Sequence, residues 1–112
     1  MVKEAHHEQR RAQRQRWQQS FAYDRIDLTH LPKKVVLSAR AILKQLEQGA
    51  GFWTFSGKRL LPDRTLIRIP VRQQYRLLGR WINHKFIPLE VMSHEAYNRI
   101  VSMGFKGGYK SL

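Results

Sequence analysis

The chain has 112 residues with 21 Lys and Arg against 8 Asp and Glu, a formal net charge of +13. That length and a hydrophobic share of 42% suit one domain with one modest core. The absence of cysteine excludes disulfides, thiolate catalysis and Cys-based zinc sites. No apolar run approaches the ~18 residues of a membrane span, and the polar N-terminus reads as no signal peptide. A cytoplasmic protein with no membrane contact is expected. So unbalanced a charge is tolerated best beside a polyanion, and phosphate backbones supply one through counterion release.

Residues 1–21 form the first segment. They are rich in Gln and Arg, including Arg10, Arg11, Arg14 and Arg16, and contain neither Gly nor Pro. High helix propensity predicts a solvated basic helix docked weakly through Trp17 and Phe21; a disordered basic arm is the alternative. Residues 22–103 form the expected domain. In it, Asp27-Leu28-Thr29-His30-Leu31-Pro32 reads as the start of a helix, with Thr29 or His30 near its cap. Val35, Val36, Ala39, Ile42, Leu43 and Leu46 then follow the spacing of an amphipathic helix. Gly49 suits its C′ position.

The period then changes. Phe52-Trp53-Thr54-Phe55 is aromatic and β-prone, and Leu66–Val71, Tyr75–Ile82 and Phe86–Met92 are strand candidates. Their alternation sends Ile67, Ile69, Leu77, Leu89 and Val91 to the face of the long helix. The links Arg72-Gln73-Gln74 and Asn83-His84-Lys85 are hairpin-sized, so the sheet should be an antiparallel meander. Ser93 is a good N-cap for a short last helix with Tyr97, Ile100 and Val101 as its apolar side. Residues 104–112 read as a flexible basic tail. The fold class is therefore α+β: a small antiparallel sheet of three to four strands, two N-terminal helices packed on one face, and a short C-terminal helix.

Five arginines recur at intervals of four: Arg64, Arg68, Arg72, Arg76 and Arg80. On strands, Arg68, Arg76 and Arg80 point away from the apolar set, opposite the long helix. Asp63 is the one acid between Lys58 and Lys85. Clustered guanidinium groups fit phosphate through paired hydrogen bonds. Lys58, Arg59, Arg64, Arg68, Arg72, Arg80 and Lys85, with Arg10, Arg11, Arg14 and Arg16, are the candidate nucleic-acid contacts. His94 and Tyr97 lie one helical turn apart beside this face. An imidazole base and arginines that stabilise a pentacoordinate phosphate are sufficient for metal-independent RNA cleavage. Equally, His94 can be a helix-capping residue and Tyr97 a core residue. His6, His7, His30 and His84 show no metal-ligand spacing, and neither a metal nor a cofactor is expected.

Leu66-Ile67-Arg68-Ile69-Pro70-Val71, Tyr75-Arg76-Leu77-Leu78, Phe86-Ile87-Pro88-Leu89-Glu90-Val91 and Ser93-His94-Glu95-Ala96-Tyr97 together resemble the C-terminal half of the RelE/ParE toxin superfamily. The helix over residues 31–48 and Lys58-Arg59-Leu60 are similar to that family's second helix and the stretch after it. The resemblance implies a ribosome-dependent mRNA endonuclease held in check by an acidic antitoxin, or a non-catalytic module such as a ParE-type gyrase inhibitor. It implies that Arg76 stabilises the transition state, that Arg68 contacts the phosphate, and that His94 and Tyr97 occupy the catalytic or base-stacking positions. Two departures stand out. Residues 1–20 do not read as the family's usual first strand, and its Lys-x-Lys pair is Arg68-Ile69-Pro70 here.

Overall fold

The long helix, α2 (Lys33–Glu47), buries Val35, Val36, Ala39 and Leu46. It starts at Lys33, later than a cap at Thr29 or His30 would place it, because Pro32 takes the cap position and its carbonyl accepts from the Val35 and Val36 amides at 3.0 Å. Gly49 closes the helix with a left-handed φ of +106°, a conformation glycine adopts without a β-carbon penalty. The computed structural model describes residues 2–61 and 63–103; the basic tail expected at 104–112 lies outside them.

Strands β1 (Lys58–Arg59), β2 (Leu66–Val71), β3 (Tyr75–Ile82) and β4 (Lys85–Ser93) pair in that order, each antiparallel to the next. Asn83 and His84 have φ of 52° and 63°, the left-handed pair that a two-residue hairpin turn uses to match strand twist. Arg72 and Gln73, with φ of 50° and 60°, turn the β2–β3 hairpin.

Strand alternation gives the sheet two apolar faces, each with its own core. Ile67, Ile69, Val71, Leu77 and Val91 pack with Leu28, Val36, Ala39 and Leu46. Helix α1 (Val2–Ser20) reaches this larger core through Trp17, followed by Phe21 in a short 3-10 turn. Leu60, Leu66, Leu78 and Met92 form a smaller core with Tyr97 of the last helix, α3 (His94–Ser102). The three helices are thus split, an N-terminal pair on the larger core and α3 on the smaller. No helix among the described residues is long and apolar enough to cross a membrane.

Three local expectations are corrected. Phe52–Phe55 is a 3-10 helix, not a strand; Phe52 turns into the larger core there while Trp53 stays 64% exposed. Leu89 does not join the larger core. Leu78 pairs with Glu90 and Gly79 with Pro88, so Leu89 is the extra residue of a β-bulge and packs on the smaller core. Gly79 is required at that bulge, because a β-carbon there would lie 2.2 Å from the Phe86 ring. On α3, Ala96 rather than Val101 joins Tyr97 and Ile100, and Val101 is 41% exposed.

Candidate functional site

The β2–β3 register decides which arginines meet. Arg68 pairs with Leu78, Pro70 with Arg76 and Leu66 with Arg80. Directly opposed residues share a face, so Arg68, Arg76 and Arg80 all project to the α3 side. Lys58 joins them through its pairing with Arg68. Arg68 and Arg76 are diagonal cross-strand neighbours, with Cα atoms roughly 7–8 Å apart. Arg76 and Arg80 sit four residues apart on one strand, about 13 Å. Arg80 is a diagonal neighbour of Arg68 too, so one phosphate can bridge Arg68 and Arg76 but cannot span Arg76 and Arg80, and Arg80 is set apart by its own partners.

Arg80 has a separate role. Its Nη1 donates to Asp63 Oδ2 at 2.9 Å and Thr65 Oγ1 at 2.7 Å, with the side chain 12% exposed. It pins the loop between β1 and β2. The Thr65 hydroxyl, then Arg80 and the Thr65 amide, hold the Asp63 carboxyl below the ordinary aspartate range.

Tyr97 lies under Arg68 on this face. Arg68 Cζ sits 5.7 Å from its ring centroid. Burial pushes the phenol pKa up, and the charges of Arg68 and Arg76 pull against that shift. Both guanidinium groups thus act on one phenol, which is 6% exposed. Arg76 is held in place by the hairpin: its Nη1 donates to the carbonyls of Gln73 at 2.7 Å and Tyr75 at 2.8 Å. Among the described residues the ion pairs are Arg25–Glu47, Arg40–Asp24 and Arg80–Asp63, so neither Arg68 nor Arg76 is neutralised by one.

His94 opens α3 at the Arg72–Gln74 end of the sheet, where its amide donates to the Gln74 carbonyl at 2.8 Å. Ser93 caps the helix, its Oγ accepting from the Ala96 amide at 3.1 Å. The cap therefore needs nothing from the imidazole, which is exposed and lies with Nδ1 3.3 Å from Asn98 Nδ2.

The other candidates are spread more widely. Arg59 leaves the sheet on the opposite side, its Cζ 5.3 Å from the Phe52 ring centroid and its Nη1 donating to the Arg64 carbonyl at 2.8 Å. Arg64, Arg72 and Lys85 are exposed at the sheet ends. Arg10, Arg11, Arg14 and Arg16 are exposed on α1. Arg10 and Arg14 share an open cleft with Gln13, Trp17 and Lys33. Lys33 was not singled out by sequence; its place beside a basic stretch was set by the docking of α1, which no local pattern carries.

Helices α2 and α3 thus lie on opposite faces of the meander that carries the arginine pair. The family model described as the ParE-like toxin domain matches residues 33–99. The chain belongs to this family. No curated protein and no solved structure gives a significant match. The matched ParE-like toxin domain begins with α2 and ends within α3, so it contains Arg68, Arg76, His94 and Tyr97 and leaves α1 outside. The toxin domain places the protein in a toxin–antitoxin module and implies an antitoxin partner.

Proposed function

We propose that this toxin binds RNA through Arg68 and Arg76 and cleaves ribosome-bound message. The observation that carries the reading is the arginine pair: Arg68 and Arg76 are diagonal neighbours on the face that holds Tyr97, Arg68 lies over its ring, and no ion pair among the described residues neutralises either. Each guanidinium offers donors in a fork that matches phosphate oxygens. The exposed His94 imidazole, one helical turn before Tyr97, serves as general base. It takes the proton of a ribose 2′-hydroxyl, and the 2′-oxygen bonds to the adjacent phosphorus. The bond from phosphorus to the 5′-oxygen breaks and that oxygen takes a proton from water, while the His94 imidazolium returns its proton to solvent. The products are a 2′,3′-cyclic phosphate and a 5′-hydroxyl. Arg76 and Arg68 stabilise the charge that builds on the non-bridging oxygens. Tyr97 is a positioning residue, the floor on which Arg68 rests.

The antitoxin is an acidic segment laid across the same face, where it competes with RNA for the pair. The arginines of α1 and the remaining basic residues add affinity without chemistry. The test is incubation of the pure protein with ribosomes and message, scoring fragments with 5′-hydroxyl ends. Such fragments support the reading; intact message at every protein concentration overturns it.

A second, non-catalytic reading rests on one observation. Arg76 already donates to two hairpin carbonyls, which suits a structural brace in a surface that binds a nucleoprotein target such as DNA gyrase. Inhibition of gyrase supercoiling without any RNA cleavage would select it.

A further inference from the structure

Trp53 is 64% exposed, an unusual position for the largest apolar side chain. It is also tightly seated. Its ring meets Phe52 edge-on at 5.1 Å and 75°, and Trp81 at 5.7 Å and 69°. Phe52 and Trp81 in turn meet at 5.1 Å and 79°, so the three rings form a closed triangle. Gly51 completes the seat: a β-carbon added there would lie 2.2–2.5 Å from atoms of the Trp53 six-membered ring. Gly51 thus lies against the indole and the Phe52 and Trp81 rings pack on it, yet 64% of the residue stays exposed.

The charge around this ring is continuous with the arginine pair. Strand β1 is an edge of the sheet. Lys58 pairs with Arg68 and so projects to the Arg68–Arg76 face, whereas Arg59 pairs with Ile67 and projects to the other. Arg59 lies over Phe52, the ring that supports Trp53. A two-residue strand thus carries positive charge around the sheet edge, from the arginine pair to the aromatic triangle.

We propose that Trp53 is a stacking platform for an unpaired base of an RNA strand whose phosphates run from Arg68 past Lys58 to Arg59. This rests on RNA being the ligand of the arginine pair. Base stacking on an aromatic ring tolerates any sequence, because every base has a π-face. The platform selects unpaired over duplex RNA, since a paired base cannot leave its own stack to lie on the indole.

The test measures binding of a 12-nucleotide oligouridine and of an RNA duplex of equal length, without ribosomes. Trp53→Ala is expected to weaken oligouridine binding about 10-fold. It leaves duplex binding and the salt slope unchanged, because a stacked base releases no counterions. Trp53→Phe retains a ring and most of the affinity. Equal oligouridine affinity for wild type and a folded Trp53→Ala overturns the platform, as does an equal loss for duplex and single strand. Should Trp53→Ala fail to fold, ultraviolet cross-linking of oligouridine to the wild-type chain decides. An adduct at Trp53 supports the proposal, and adducts confined to other residues overturn it. A wild-type chain that binds no RNA removes the proposed RNA ligand and the platform together. Binding that ignores Trp53 removes the platform alone.

Discussion

Arg40 grips Asp24 with two hydrogen bonds, Nε to Oδ1 at 2.9 Å and Nη2 to Oδ2 at 2.8 Å, while its Cζ lies 5.0 Å from the ring centroids of both Trp17 and Phe21. Its Nη2 also donates to Ser20 Oγ at 2.9 Å. One guanidinium of α2 therefore fastens the end of α1, the turn after it and Asp24 in the link to α2. Charged hydrogen bonds of this kind contribute about 1.5–3 kcal/mol each when a partner is removed. Arg40→Ala is expected to lower unfolding stability by about 2 kcal/mol, and Arg40→Lys to restore less than half of that, because lysine lacks the fork. Urea midpoints measure both. A midpoint equal to wild type for Arg40→Ala would show that α1 is held by its apolar contacts alone.

The bulge at Leu89 separates two leucines that a regular strand would treat alike. Leu77 is fully buried in the larger core, whereas Leu89 is partly buried on the smaller one. Leu77→Ala should cost about 3–4 kcal/mol and Leu89→Ala about 1–2 kcal/mol, since cost grows with the cavity left behind. Denaturant unfolding compares them directly. Equal losses would contradict the shifted pairing at Leu78 and Gly79.

The contrast shows which features the sequence exposes. The spacing of Val35, Val36, Ala39 and Leu46 is a local period, and helix α2 follows it. The turns at Arg72-Gln73 and Asn83-His84 follow from the short polar links between strands, so the hairpins and the common face of Arg68, Arg76 and Arg80 were legible too. The bulge was not. At the bulge the Phe86 ring lies close over Gly79 across two strands, and neither residue signals it alone. The 3-10 turn at Phe52–Phe55 hid for the same reason, since aromatic residues favour strands until a tertiary seat such as the Phe52–Trp81 contact outweighs that preference. At the site, the charge period named the arginines. It could not separate Arg80, tied to Asp63 across the loop, from Arg68 and Arg76.

Tyr97 makes stability depend on alkaline pH. Burial raises its phenol pKa above 10.0 in the folded chain, with Arg68 and Arg76 opposing. The folded state then holds the proton more tightly than the unfolded state. The resulting stability is fully present below the unfolded pKa, near 10, and is lost as pH rises through the folded value. Tyr97→Phe removes the titrating group. Its stability between pH 9 and 12 is expected to fall less steeply than that of wild type, as read from thermal midpoints at each pH. Parallel curves for the two proteins would place the alkaline loss on other groups.

Salt tests the electrostatic share of binding. Engagement of Arg68, Arg76, Lys58, Arg59 and the four α1 arginines would neutralise roughly eight phosphates, and a single strand then gives a slope of about −5 to −6 in log affinity against log salt. Arg10→Gln with Arg14→Gln should make that slope shallower by about 1 to 1.5. A slope near zero for wild type would be incompatible with phosphate recognition by a chain of this charge.

Arg76 decides between chemistry and binding. Its guanidinium is fixed by the Gln73 and Tyr75 carbonyls and acts on the same phenol as Arg68. A fixed donor stabilises developing charge without reorganising, and loss of one such donor slows a reaction about 10²–10³-fold. Arg76→Ala is therefore expected to slow cleavage of ribosome-bound message by about that factor, while RNA affinity changes by less than about tenfold because Arg68, Lys58 and α1 still contact phosphate. His94→Ala should slow the reaction and remove the limb of the pH–rate profile that reports the base. Arg76→Lys separates charge from geometry: lysine keeps the charge but cannot hold two carbonyls and a phosphate through one planar fork. The measurement is fragment yield against time at saturating protein, with circular dichroism confirming the fold of each variant. A folded Arg76→Ala that cuts as fast as wild type would remove Arg76 from the reaction and leave it as a brace of the β2–β3 hairpin.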